Sequence, residues 1–409
     1  MMQTLTAGDD SPHPLPDSRF PWTLRSPDRG PAPESAPVRV RPCSPGELLA
    51  IVPHLLGFVP QASLVVMGTE PPRDRIKVTL RYDLPDPPGA GAAADLAAHA
   101  VGVIGAQQLT AMTAVGYGAE ALVDPVAYAL RDAARQTGID LRDVLRVEDG
   151  RYWSYACGDE TCCPAAGTPF DPETPAAAAM TAAGMPVLAD RAAVAARVAP
   201  LGGTDAVSMR QATRRAERHA SRLLARVRKS ARLGAARQMI AAAGLNAVGA
   251  MIAAYRGGGS YATDYQIAWV TVALRDLRVR DDAWARMDPA HLDAHRRLWI
   301  DVTRRAQPGY VAAPASLLAF VAWQAGDGAL ANVALDRALA DEPRYSMALL
   351  LRQVISAGAP PSLARLPMTP EEVAASYDEA EDEAEEDPDG IYDRELDPDV
   401  HDPDPEGEH

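Results

Sequence analysis

Apolar positions recur along this chain with two periods, and the change from one to the other divides it. Leu48 to Leu56 is a short apolar run. Ser44 stands as its N-cap, Pro45 at the first helical position, and Gly57 and Pro60 after it, which predicts a helix. Ser63 to Met67 predicts a buried strand. Ile76, Val78 and Leu80 alternate with polar residues, which predicts a second strand over Ile76–Tyr82. With only Gly68–Arg75 between them, the two strands are expected to pair as an antiparallel hairpin. Asp95–Gln107 predicts an Ala-rich helix and Leu109–Val115 a third strand. Pro125–Gln136 predicts a helix capped by Asp124 and stopped by Gly138. Val144–Val147 and Arg151–Tyr155 read as two more strands around the turn Glu148-Asp149-Gly150. Strands alternating with helices imply an α/β domain with a mixed sheet over residues 38–175.

From Pro175 onward the period of two disappears. Ala192–Val198, Met209–Met239, Asn246–Arg256, Tyr261–Arg278, Asp281–Arg286 and Pro289–Ala306 all read as helices. The second half is therefore expected to be all-α, with basic connecting helices over 176–240 and a helical array over 241–366. Within the array, residues 316–343 carry Gly326, Ala331, Leu335, Ala338 and Pro343 at the spacing of the second helix of a tetratricopeptide repeat. The first helix fits less well, because Ala315 and Ala322 stand where large aromatics are usual. An ordinary helical hairpin is the preferred reading, and a peptide-binding groove is the alternative. The Pro-rich head, 1–37, and the acidic tail, 367–409, are expected to be disordered.

Charge sharpens this division. The chain of 409 residues carries −15. Residues 378–409 hold −16 of it, which leaves 1–377 with +1. The acidity belongs to the tail, so neither an acidic globular surface nor a uniformly basic nucleic-acid binder is indicated. Met209–Arg237 holds ten basic residues against Glu217. Arg210, Arg214, Arg218, Arg222 and Arg226 recur there every four residues, a candidate anion-binding row. Steps of four residues precess by roughly 40°, so the row wraps around its helix. No aromatic residue stands between Met209 and Arg237 to stack on bases, so a nucleic-acid role ranks below the others. The acidic tail is a candidate to contact this basic helix in cis.

The most membrane-like stretch, Leu48–Met67, is broken by Pro53, His54, Pro60, Gln61 and Ser63, and is read as core. The N-terminus has neither the basic start nor the apolar stretch of a secretory signal, and four Cys make no disulfide framework. A cytoplasmic protein with no membrane partner is expected.

Three of the cysteines, Cys157, Cys162 and Cys163, fall within one short segment before Pro164. Small thiols packing a loop are the first reading. Zinc, or a redox pair of Cys157 with Cys162 or Cys163, are alternatives; the usual four-ligand spacing is incomplete, and His54 or Asp159 would have to supply the remainder. No cofactor is otherwise expected. His291 and His295 share an i, i+4 spacing on a predicted surface helix, but Arg296 and Arg297 adjoin them and disfavour a cation. Gly116-Tyr117-Gly118 follows the third strand without a dinucleotide or phosphate-loop fingerprint, and reads as a turn that needs positive φ. Arg81, Asp83, Tyr117, Arg151 and Tyr155 sit near strand ends, where α/β folds place ligands, and are candidate pocket residues. No catalytic constellation emerges.

Four passages carry a resemblance. They are Pro53-His-Leu-Leu-Gly-Phe-Val-Pro60 with Ser63-Leu-Val-Val66, Leu80-Arg-Tyr-Asp-Leu-Pro85, Asp149-Gly-Arg-Tyr-Trp-Ser-Tyr155 with Cys162-Cys163-Pro164, and Leu317–Leu351. Together they resemble the actinobacterial domain of unknown function 4192 family. The resemblance implies shared architecture and a bacterial cytoplasmic setting, and it carries over no catalytic residue. The sequence is read first as a non-enzymatic protein-interaction or scaffold module. An enzyme or small-ligand sensor with a pocket at the sheet edge is the alternative, and a nucleic-acid-associated protein is the next.

Overall fold

The computed structural model describes residues 40–70, 75–228, 233–259, 262–361 and 368–386. The chain enters through α1 (Pro45–Leu56). The Ser44 hydroxyl accepts from the Glu47 amide at 3.2 Å, and Gly57 closes the helix in the left-handed region, as the sequence implied. Next come β1 (Ser63–Glu70), β2 (Arg75–Asp83), α2 (Ala90–Ala106), β3 (Ala111–Tyr117), α3 (Glu120–Thr137), β4 (Asp140–Glu148), β5 (Arg151–Ser154) and the short β6 (Thr168–Pro169). The six strands lie in the order β2-β1-β3-β4-β5-β6. β1 and β2 pair antiparallel, as expected. Only β3 and β4 run parallel, joined across α3, so the sheet is mixed.

Side-chain alternation splits this sheet between two cores. Leu64, Val66, Met112, Ala114 and Val144 pack with Ala97, Ile104, Val123 and Leu130 of α2 and α3. Val65, Met67, Val115, Tyr117 and Leu145 face Leu49 and Val52 of α1. Gly116 lies inside β3 with an ordinary φ. It is small because a Cβ there would come within 2.4 Å of Val123 Cγ1. Gly118, at φ +145, is the residue that uses positive φ. Asp124 does not cap α3. The helix begins earlier, after Ala119, and Pro125 lies within its body.

The helical half runs through α4 (Pro175–Ala182), α5 (Arg191–Ala196), α6 (Gly203–Arg228), α7 (Leu233–Arg256), α8 (Asp264–Ala273), α9 (Leu277–Ala285) and a 3-10 turn (Pro289–His291). It continues with α10 (Leu292–Arg305), α11 (Ala312–Gln324), α12 (Gly328–Asp341), α13 (Ser346–Ser356) and α14 (Pro370–Glu386). Its core gathers around Trp269, Trp299 and α11. The expected hairpin forms from α11 and α12, but every residue of α11 from Ala312 to Trp323 is buried. Its first helix lies within the core of the array. The connecting region joins the same core through Val194, Val198, Met209 and Ala216. Gln238–Arg256 within α7 is long and apolar enough to cross a membrane. In this structure its Ala247, Val248, Met251, Ile252 and Tyr255 are buried in the array.

The acidic tail departs from expectation over its first part. α14 is a helix with a reciprocal cap: Glu372 N donates to Thr369 Oγ1 at 3.2 Å, and Thr369 N donates to Glu372 Oε2 at 2.6 Å. Glu371 and Glu372 in the first turn favour the helix dipole. Val373 is buried, which anchors the helix. The head 1–37 and the tail from 387 to 409 lie outside the described residues.

Candidate functional site

A cluster of charged and hydrogen-bonding side chains stands where β4, β5 and the end of α3 meet. A cleft of about 470 Å³ opens there, lined by Arg131 and Arg135 of α3, Asp140 and Asp143 of β4, and Tyr155 and Ala156 after β5. Hydrogen bonds cross-link its walls. Ser154 Oγ donates to Asp143 Oδ2 at 2.7 Å, and Ala156 N donates to Asp143 Oδ1 at 3.1 Å. Arg131 Nη2 donates to the Tyr155 carbonyl at 2.9 Å, and the Tyr155 hydroxyl donates to Asp124. This bond is the role of Asp124 in place of the expected cap. Burial raises the Asp143 carboxyl above its usual range, against the hydrogen bonds that lower it. Burial and the Asp124 carboxylate push the Tyr155 phenol up.

The three thiols stand beside this cleft. Cys157 N donates to Ser154 Oγ at 3.0 Å, so the Asp143–Ser154 pair fixes the start of the cysteine loop as well. The Asp159 carbonyl accepts from the amides of Cys162 and Cys163 at 3.1 and 2.7 Å. Asp159 Oδ1 also accepts from Thr161 N at 2.8 Å. These bonds fold the loop back on itself and place the sulfurs of Cys157, Cys162 and Cys163 within 4.8 Å of one another. Cys162 and Cys163 are 3.9 Å apart at Sγ, and no cysteine is in a disulfide. The Asp159 backbone and the neighbouring thiols hold Cys157 below the usual thiol range. The hydrogen bond with Cys157 first, then burial, then Cys162, push Cys163 up to about 12. None of the three belongs to a hydrophobic core; their sulfurs pack against one another within the loop.

The pocket residues named from the sequence do not converge. Arg81 and Asp83 pair at 2.5 Å on β2, at one edge of the sheet, where Arg81 Nε also donates to Ser63 Oγ at 3.0 Å. Tyr117 is buried on the α1 face of β3, its phenol pushed up by burial. Arg151 lies toward the other edge, with Nη1 donating to the Gly167 carbonyl at 2.9 Å, and holds the return limb of the cysteine loop. Tyr155 alone of the five lines the cleft. Strand order explains the scatter, because β1, β3 and β4 separate β2 from β5. The imagined fourth metal ligand His54 is committed elsewhere, its Nδ1 paired with the Met185 carbonyl at 2.8 Å.

Sequence reasoning missed Asp143, Arg131 and Arg146. Arg146 is buried in the sheet, pairs with Glu148 at 2.6 Å and lies 3.7 Å over the Trp153 ring. Period two places it on a buried face, a signal in a strand otherwise apolar from Val144 to Val147. His291 and His295 do not share one surface helix: His291 belongs to the 3-10 turn and pairs with the Asp288 carboxylate, while His295 is buried on α10 with its Nε2 accepting from Asp288 N at 3.5 Å.

On α6, Arg210, Arg214, Arg218 and Arg222 are exposed. Met209, Thr213 and Ala216 are buried on its opposite side. Arg215 instead lies over the Tyr265 ring of α8 at 4.8 Å. The side chain of Arg226 is outside the described atoms. The described part of the acidic tail meets α9, where Arg278 pairs with Asp378 at 2.7 Å and the Tyr377 hydroxyl donates to Asp281 at 2.6 Å; residues 387–409, the rest of the segment expected to contact α6, lie outside the described residues.

A family profile described as domain of unknown function (DUF4192) matches residues 45–362. No curated protein and no solved structure matches the chain. The matched span runs from α1 past the end of α13, so it takes in the sheet, the thiol loop and the array together. The chain belongs to the domain of unknown function 4192 family.

Proposed function

We propose that this protein is a non-enzymatic, cytoplasmic interaction module that seats an acidic protein partner on the arginine face of α6. One observation carries the reading. Arg210, Arg214, Arg218 and Arg222 are exposed and make no ion pair among the described residues, whereas Arg81, Arg191, Arg256 and Arg305 are paired. Unpaired guanidinium groups on a helix whose other side is anchored form a preorganised anion-binding surface, suited to planar carboxylates. Rim charges of this kind set association rate and salt dependence more than affinity.

The test is capture of partners from the native host with the full chain and with a variant in which Arg210, Arg214, Arg218 and Arg222 are all changed to Glu. A stoichiometric protein partner that is lost from the variant and released by salt supports the reading. Partners unchanged by the reversal overturn it, and a low-salt electrophoretic shift on the same face would move the reading to nucleic acid.

A second reading, an enzyme or small-ligand sensor, is favoured by the cleft at Asp143 and Tyr155. Its walls combine a carboxyl of raised pKa with two guanidinium groups. A small molecule retained by the native protein in mass spectrometry and lost from an Asp143→Asn variant would establish it.

A further inference from the structure

We propose that Cys157, Cys162 and Cys163 form a binding site for a thiophilic d10 cation, Zn2+ in the first instance, held by three thiolates with a fourth position open to solvent. The argument starts from spacing. Tetrahedral Zn–S bonds of about 2.3 Å set two sulfurs about 3.8 Å apart. Cys162 and Cys163 stand at 3.9 Å, and all three sulfurs fall within 4.8 Å. A disulfide needs its sulfurs at about 2.05 Å. The trio is therefore close enough to share one ion between the sulfurs, and no two of them are joined by a disulfide.

The loop is built to hold that arrangement. The Asp159 carbonyl takes both the Cys162 and Cys163 amides, Asp159 Oδ1 takes the Thr161 amide, and Ser154 Oγ takes the Cys157 amide. Arg151 Nη1 on the Gly167 carbonyl and Trp153 Nε1 on the Ala165 carbonyl, at 2.9 and 3.0 Å, pin the return limb to β5. The loop is thus held by bonds within itself through Asp159 and by bonds to β5 through Ser154, Arg151 and Trp153, which keeps the three cysteines together before an ion arrives.

Access and donor chemistry fit as well. Cys162 is exposed, and Cys157 and Cys163 are half-buried, so an ion can enter from solvent. Among the described residues no histidine or carboxylate joins the group, which leaves the fourth position for water or an exogenous ligand. Three thiolates select Zn2+ or Cu(I) over Mg2+ and Ca2+, which require oxygen donors. Binding replaces three S–H bonds with three S–Zn bonds and releases three protons, so the occupied site carries one net negative charge. No electron is transferred. This site is independent of the α6 reading, and either can fail without the other.

The experiment uses the full chain purified with reductant from zinc-replete cells. Elemental analysis is expected to return about one equivalent of zinc. After chelation, titration with Co2+ is expected to produce thiolate-to-cobalt charge-transfer absorption that saturates at about one equivalent. Cys157→Ser and Cys163→Ser are expected to abolish that band, and Cys43→Ala to leave it intact. Far-ultraviolet circular dichroism checks that each variant keeps its helices. The cobalt titration of the unaltered chain requires no variant at all. Less than about a tenth of an equivalent of zinc together with no cobalt charge-transfer band overturns the proposal. So does a band that persists in both serine variants, or a Cys157 disulfide in the reductant-purified protein.

Discussion

The Tyr377 hydroxyl donates to the Asp281 carboxylate at 2.6 Å, and this bond pins the start of the acidic segment to α9. Beside it Arg278 pairs with Asp378, and Val373 is buried. Tyr377→Phe removes the bond and leaves the ring. Detachment of α14 should become easier by about 1 kcal/mol. Hydrogen exchange over residues 370–379 should quicken while exchange in α11 stays unchanged.

Two glycines should respond in opposite directions. Gly116→Ala forces a methyl against Val123 at the β3–α3 contact and should cost about 1–3 kcal/mol in urea unfolding. Gly102 sits in α2, exposed and with nothing near its missing Cβ. Gly102→Ala should gain about 0.5–1 kcal/mol. A loss at Gly102 of the size seen at Gly116 would count against the packing account.

His295 should make the array acid-sensitive. Burial, aided by Arg256 nearby, holds its imidazole pKa down at about 4, below the ordinary 6.5. The folded state therefore favours the neutral ring. Its contribution is fully present above pH 6.5 and is lost as the pH falls toward 4, on the order of 3 kcal/mol in all. Urea midpoints measured across that window should fall for the native protein. His295→Gln should flatten that part of the profile and keep the loss due to carboxylates at lower pH.

Arg146 ties the far strands together through Glu148 and the Trp153 face. Its side chain is only 7% exposed. Arg146→Ala leaves Trp153 uncovered and should cost about 2–3 kcal/mol. Arg146→Lys keeps the charge but not the planar stack, and should recover only part of that loss. Thermal unfolding followed by tryptophan fluorescence measures both.

Much of this organisation was legible in the sequence, because local chemistry and period fix it. Ser44, Pro45 and Gly57 bound α1, the alternation at Ile76, Val78 and Leu80 marks β2, and Gly326 turns α11 into α12. The change from period two to helical period separated the sheet from the array. The candidate site was only half legible. Three thiols in one loop could be seen, but hydrogen bonds through Asp159 and Ser154 decide that their sulfurs meet.

The rest depended on long-range pairing. Period tells which side of a strand is buried, but not which strand lies beside it. The order β2-β1-β3-β4-β5-β6 therefore sent Arg81 and Asp83 to one edge and Arg151 toward the other. In the same way, a repeat-like spacing fixed a hairpin but left open what would cover it, and the array buried α11 on all sides. The −15 net charge was divisible from sequence into an acidic tail and a basic helix. That the tail's described part docks on α9 was decided by one buried valine, one tyrosine hydroxyl and the Arg278–Asp378 pair, a choice of partner that no count of charges contains.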